Sequence, residues 1–213
     1  MYRYSAAVLA SAMLVVACSD SRETEPTPRE EAAVEAPATT SPATSVVGQV
    51  PLKGQNSAFV VLTARGAVNA APPDTQAVMD QIQMAFIPSS LIASQGQPVQ
   101  FRSSDDELHN VNVTRADTRV QEFNVAIVPD GKWEYTFKNA GLYNVTCDVH
   151  PTMTAQILVA STPHVVVTGP DGNFALEGVA PGAYTLTIYA GTNRVERELQ
   201  VAQGRNEVQF GDE

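Results

Sequence analysis

Cys147-Asp148-Val149-His150-Pro151-Thr152-Met153 puts a thiol, an imidazole and a thioether within seven residues. It closes the run Tyr143, Val145, Cys147, whose alternation is the period of a half-buried strand. A second imidazole, His109, lies upstream in Leu108-His109-Asn110-Val111, and Val111 and Val113 alternate after it. Thiolate and thioether are soft donors that favour Cu(I), while imidazole suits both copper oxidation states. Two His, one Cys and one weak Met are the donor set of a blue-copper electron-transfer centre. A low coordination number with a long axial Met bond keeps the two oxidation-state geometries alike, so little has to move when the electron does. The loop after Cys147 turns back so that His150 and Met153 face one ion, and Pro151 stiffens that turn.

Cysteine arithmetic agrees. The chain has two Cys, and Cys18 falls in a leader segment treated below. Cys147 then has no disulfide partner, which in an exported protein is a liability or a working thiol. Zinc takes Cys and His too, but a structural zinc site offers more Cys and no Met. Taken singly, a strand-end Cys is a buried small hydrophobe and a loop Met is packing. The order and spacing of all four residues carry the copper reading.

Residues 75–160 resemble a cupredoxin, in its plastocyanin/amicyanin branch. The matching pieces are Phe86-Ile87-Pro88, Leu91-Ile92, Gly96-Gln97-Pro98-Val99-Gln100-Phe101, Leu108-His109-Asn110-Val111 and Gly141-Leu142-Tyr143-Asn144-Val145-Thr146-Cys147, then His150 to Met153. Two residues between Cys147 and His150, and two between His150 and Met153, give a short loop similar to that of amicyanin. The resemblance implies one type-1 copper with His109, Cys147 and His150 equatorial and Met153 axial. It implies that Asn110 braces the ligand loops. Thr152 departs from the aromatic that related short loops carry, which leaves the rim around His150 open.

The chain has 213 residues and a formal net charge of −10. Frequent Gly and Pro with little helical periodicity argue for an all-β globular part. Residues 1–17 read as a signal peptide: Arg3, then a short apolar run from Ala6 to Ala17. Leu14-Val15-Val16-Ala17-Cys18 resembles a bacterial lipobox, which implies cleavage before Cys18 and its lipidation. Ser19 after the Cys points, by the rule of enteric bacteria, to the outer membrane facing the periplasm, with the cell surface as the other location. Residues 18–45 are a disordered tether. Pro26, Pro28, Pro37 and Pro42 and an acidic excess leave too little apolar surface to order it. Its extended reach is about 90 Å and its flexible span about 30 Å.

Val46-Val47-Gly48-Gln49-Val50 and Ala58-Phe59-Val60-Val61-Leu62 read as two strands with turn signals between them. After residue 160 the style changes: Asp171-Gly172-Asn173-Phe174, Ala175-Leu176, Pro181-Gly182-Ala183-Tyr184 and the alternating Thr185 to Tyr189. This resembles the carboxypeptidase regulatory-like (transthyretin-like) β-sandwich. That family opens with V-x-G-x-V and an apolar V-V-L strand, found here in 46–62 but not near the C-terminus. The expected architecture is therefore a Greek-key cupredoxin sandwich (67–160) inserted into a small transthyretin-like sandwich (46–66 plus 161–213). About fifty C-terminal residues alone make a marginal core. His164 is read as a strand residue, Met79 and Met84 as packing, and the polar segment 102–107, with Asp105, Asp106 and Glu107, as a solvated loop beside His109 rather than a cation site.

Function divides between a lipid-tethered one-electron carrier and a copper-binding protein for storage, delivery or stress protection. An enzyme is disfavoured, since one type-1 site has no open position for substrate. The acidic balance suits a basic redox partner protein and gives no reason to expect nucleic acid. The membrane is met through the N-terminal lipid only, by a monomer.

Overall fold

The computed structural model describes residues 43–67 and 69–210; Cys18 and the leader lie outside them. The chain runs through sixteen strands among the described residues: β1 (Ser45–Gln49), β2 (Phe59–Ala64), β3 (Ala77–Ile82), β4 (Ala85–Ile87), β5 (Ser90–Ser94), β6 (Pro98–Ser103), β7 (His109–Arg115) and β8 (Gln121–Ile127). Then come β9 (Lys132–Thr136), β10 (Gly141–Thr146), β11 (Thr154–Ala160), β12 (Val165–Val167), β13 (Asn173–Glu177), β14 (Gly182–Ala190), β15 (Asn193–Val201) and β16 (Arg205–Val208). No helix among the described residues is long and apolar enough to cross a membrane.

The strands form four sheets, ordered β4-β3-β6-β9, β5-β11-β10-β7-β8, β12-β2-β14-β15 and β13-β1-β16. The first two enclose one core, with Met79, Phe101, Val111, Val113, Tyr143, Val145 and Ile157 in it, in a Greek-key sandwich. The last two enclose another around Val46, Val60, Leu62, Leu176, Leu186 and Ile188. A third, smaller core of Phe59, Val61, Leu142 and Leu158 joins the middle sheets. The molecule is thus four sheets deep.

Strand periodicity explains how one strand feeds two cores. Successive side chains point to opposite faces. On β2, Val60 and Leu62 enter the second sandwich while Phe59 and Val61 face the first. On β11, Ile157 and Val159 point inward and Leu158 outward. Both strands therefore read as unbroken apolar runs, as strands covered on both faces do. The pairing is non-local: β1 lies antiparallel to β13 and parallel to β16, and β2 lies between β12 and β14. At Gly172 (φ 78°) a Cβ would stand 2.1 Å from the Val50 carbonyl oxygen, so only glycine lets this turn close on the end of β1.

The two sandwiches lie side by side with matched ends. Thr146 pairs with Thr154 at the end of β10 that leads to Cys147. Gln156, two residues on, pairs with Ser90, whose hydroxyl lies 3.2 Å from that of Ser57. The Ser57 and Gly172 end of the second sandwich is thus level with the Cys147 end of the first. Ser45, where the described chain enters the fold, pairs with Glu177 and Arg205 at the opposite end. Both connections between sandwiches, 65–76 and 161–164, also leave the first one at that opposite end, where the Ala70 N–H donates to the Ser161 carbonyl at 3.0 Å.

Candidate metal centre

His109 is the first residue of β7 and is fully buried, whereas Leu108 before it is exposed. Cys147 follows the last residue of β10 and is also buried. The loop between β10 and β11 closes on itself: the Cys147 N–H donates to the Met153 carbonyl (3.2 Å), and the Met153 N–H to the His150 carbonyl (2.9 Å). These bonds turn the chain so that His150, three residues after Cys147, comes back over the thiol.

The three inward atoms converge. Nδ1 of His109 and Nδ1 of His150 are 3.0 Å apart. Sγ of Cys147 lies 4.0 Å from the first and 3.9 Å from the second. A point about 2.0 Å from both nitrogens falls about 2.3 Å from the sulfur, the bond lengths that a divalent first-row ion makes to imidazole and thiolate. The His/Cys/His triad thus fits a metal ion. Met153 is buried in the same core as Cys147.

Outward from the triad lies a shell of hydrogen bonds. Asp105 Oδ2 is hydrogen-bonded to Nε2 of His109 at 2.9 Å, while Glu107 Oε2 makes only a looser contact, 3.3 Å from Nε2 of His150, that is not a hydrogen bond. Backbone N–H groups of Met84 and Gln83 donate to the Asp105 carboxylate. Chiefly the Met84 bond, with Gln83 and His109 adding to it, holds the Asp105 carboxyl below its usual range. Asn110 Oδ1 accepts the N–H of Asp148 (2.7 Å), and its Nδ2 donates to the Asp148 carboxylate (2.9 Å). Asn112 and Asn124, directly paired across β7 and β8, donate to the same carboxylate. The Asn112 bond first, then that of Asn124, keeps the Asp148 carboxyl low. Residue 148, next to Cys147, is thereby bound to both strands that flank the site.

Sequence reading placed Asp105-Asp106-Glu107 in a solvated loop. In the structure Ser104, Asp106 and Glu107 are exposed as expected, Arg102 and Ser103 belong to β6, and Asp105 turns inward to hydrogen-bond a ring nitrogen of His109. Met84, read as packing, is 49% exposed, whereas Met79 is buried. His164 precedes β12 and its ring meets that of Tyr184 edge-on. Asn112 and Asn124 went unread because their meeting with Asp148 depends on the register of β7 against β8.

The family model for copper binding proteins of the plastocyanin/azurin family matches residues 73–160. No protein of curated function matches the chain in sequence. Among solved structures, the novel purple cupredoxin from Nitrosopumilus maritimus is similar at 20% identity and a TM-score of 0.36, over 39% of this chain and 99% of that one. Amicyanin from Paracoccus versutus (Thiobacillus versutus) is similar at 21% identity and a TM-score of 0.37, over 47% of this chain and 97% of that one.

Proposed function

We propose that this chain, a cupredoxin-like β-sandwich carrying a His/Cys/His triad, is a type-1 copper protein that passes single electrons in the cell envelope. The observation that carries the reading is the convergence of two Nδ1 atoms and one Sγ within 3.0–4.0 Å, with His109 and Cys147 buried and His150 partly so. Copper bound there would take up and release one electron between its Cu(II) and Cu(I) states. Cys147, His109 and His150 would hold the ion, and Met153 would supply a fourth, weak donor. The buried core around Cys147 keeps water from the thiolate. Asn110, Asn112 and Asn124 fix Asp148, so the Cys147 loop keeps one shape in both states. With four donors from the protein no position is left for a substrate, which supports a carrier rather than an enzyme.

Met84, Leu108 and Val149, all exposed, lie beside the triad residues or their hydrogen-bond partners. Asp106 and Glu107 adjoin them in sequence. This supports docking of a redox protein with a small apolar spot rimmed by basic side chains. The rest of the reading is anchorage: a lipid on Cys18 holds a monomer to the membrane facing the periplasm, through a tether that ends before β1, since Ser45, counted in the tether from the sequence, opens that strand. The pairing of β1 and β2 with strands of 165–208 supports a transthyretin-like sandwich into which the copper sandwich is inserted.

The test is a visible absorption and EPR spectrum of the chain lacking residues 1–42, given one equivalent of Cu(II) and then titrated with ascorbate. An intense blue band with narrow copper hyperfine splitting that bleaches reversibly is the expected result. A colourless complex that binds only Cu(I) would replace the carrier with copper storage or delivery.

A further inference from the structure

We infer that Tyr135 and Glu122 form a proton-coupled redox site, at which an oxidising equivalent that enters the first sandwich comes to rest as a tyrosyl radical. The inference does not depend on the copper reading. It concerns the flank of the sandwich where β8 and β9 are the edge strands of their two sheets.

That flank is lined with rings. Trp133 and Tyr135, alternate residues of β9, stack with centroids 5.7 Å apart and planes 19° from parallel. Phe123 of β8 touches both, its centroid 4.6 Å from each. Phe137 continues the row 5.0 Å from Tyr135, and Tyr143 ends it 4.7 Å beyond Phe137. Ring packing at the margin of a core accounts for such a row. It does not account for a carboxylate within it. The Tyr135 hydroxyl donates to Glu122 Oε1 at 2.6 Å, which ties one edge strand to the other. That distance is typical of a charge-assisted O–H···O⁻ bond.

Indole and phenol are, with the thiol, the side chains that give up an electron most readily, and rings in contact exchange one quickly. An oxidised phenol is a strong acid, so it persists only where its proton has somewhere to go. The row supplies that at one tyrosine and not at the other. Tyr143 donates to the Asn139 carbonyl, which is too weak a base to keep the proton, and the Arg115 guanidinium over its ring opposes positive charge there. Tyr135 faces a carboxylate, a base already within hydrogen-bond reach. Burial first, and then the bond to Glu122, pushes the Tyr135 phenol up to about 12, so it starts out protonated. In one step Tyr135 gives an electron to the oxidant and its O–H proton to Glu122, leaving a neutral tyrosyl radical and a carboxylic acid. The oxidant is an oxygen-derived radical, or an indole radical that such a species forms first at Trp133, and it is reduced by that electron. When a reductant returns the electron, Glu122 returns the proton. A hole is thereby held at the half-buried flank and kept off the buried Cys147 thiol.

The test is flash-quench oxidation of the metal-free full-length chain by photogenerated tris(bipyridine)ruthenium(III), read by EPR and transient absorption. Tyr2→Phe and Tyr4→Phe are present throughout, so that tyrosyl signals come from residues 135, 143, 184 and 189. The expected product is a neutral tyrosyl radical that forms more slowly in D2O than in H2O. Tyr135→Phe loses most of that signal and shows an indole radical instead, whereas Tyr143→Phe keeps it. Glu122→Gln retains the shape and an acceptor oxygen but no base, and the radical forms at least about tenfold more slowly. A tyrosyl signal undiminished in Tyr135→Phe, or one lost in Tyr143→Phe, would overturn the site. So would a rate in Glu122→Gln equal to that of the parent chain.

Discussion

The two sandwiches are built by the same rules and used differently. Each packs two sheets over an apolar core. Each carries a buried tyrosine whose hydroxyl donates to the carbonyl four residues earlier, Tyr143 to Asn139 (2.8 Å) and Tyr184 to Ala180 (2.9 Å). Such tyrosines pin a corner of a β-sandwich. The difference lies at one end of the first. There His109, Asn110 and Cys147 break the apolar pattern, and every one of them has a partner. The second sandwich's core has no comparable cluster of His and Cys among the described residues. Chemistry here comes from a local breach of the packing pattern, and the architecture around it is common to both halves.

Four substitutions test how separate the two halves are. The largest effect is expected from Cys147→Ser, which removes the thiolate-to-copper charge-transfer band altogether. Absorption spectroscopy reads it, and calorimetry should show the second sandwich melting as before. A surviving blue band would contradict the assignment of the thiolate. Next comes Leu62→Ala in the core of the second sandwich. Truncating a fully buried leucine costs about 2–5 kcal/mol. Urea titration measures the loss, and an unaltered copper spectrum in the folded protein would show that the site does not depend on the far core. Met153→Leu is smaller: copper stays and the potential rises, because losing a weak donor destabilises Cu(II) more than Cu(I). One to two powers of ten in relative affinity corresponds to about 60–120 mV by voltammetry. An unchanged potential would mean that Met153 is not the axial donor.

The smallest effect concerns Asp117, at the end of the first sandwich away from the triad. A hydrogen bond from Arg115 is the main reason its carboxyl is held down at about 2. A carboxyl lowered on folding stabilises the protein above its unfolded value of about 3.9, and that stability disappears as pH falls towards 2. Since both ends of the pair reach solvent, the contribution is below about 1 kcal/mol. Asp117→Asn should flatten the stability curve between pH 4 and 2 by that amount and leave the metal site alone. A shift in the copper spectrum would show that the two ends of the sandwich communicate.

Sequence made the centre of the site legible for a physical reason. Three of the proposed donors fall within seven residues, and the fourth, His109, opens a strand whose inward positions, Val111 and Val113, are plainly apolar. The outer shell was not legible. An acid that meets a ring from a loop has the same local sequence as an acid in water, so Asp105 looked solvated. Asn112 and Asn124 meet only through strand pairing. The third core did leave a trace. Phe59-Val60-Val61-Leu62 and Ile157-Leu158-Val159 lack the polar alternation of a half-solvated strand. That pattern says both faces are covered, but not by what; the covering strands lie about a hundred residues away in the chain.

The depth of the stack also governs encounters. On the carrier reading, a diffusing partner that strikes the outer face of β5, β11 and β10 meets the second sandwich, not the first. With that flank covered and both connections at the far end, productive collisions on the carrier reading are left to the end of the first sandwich that carries His150. Such confinement lowers the fraction of collisions that lead to reaction. The acidic residues 105–107 lie at that same end, and their field can turn an oppositely charged partner towards it before contact. The added sandwich narrows the target while the charges around the target widen its reach.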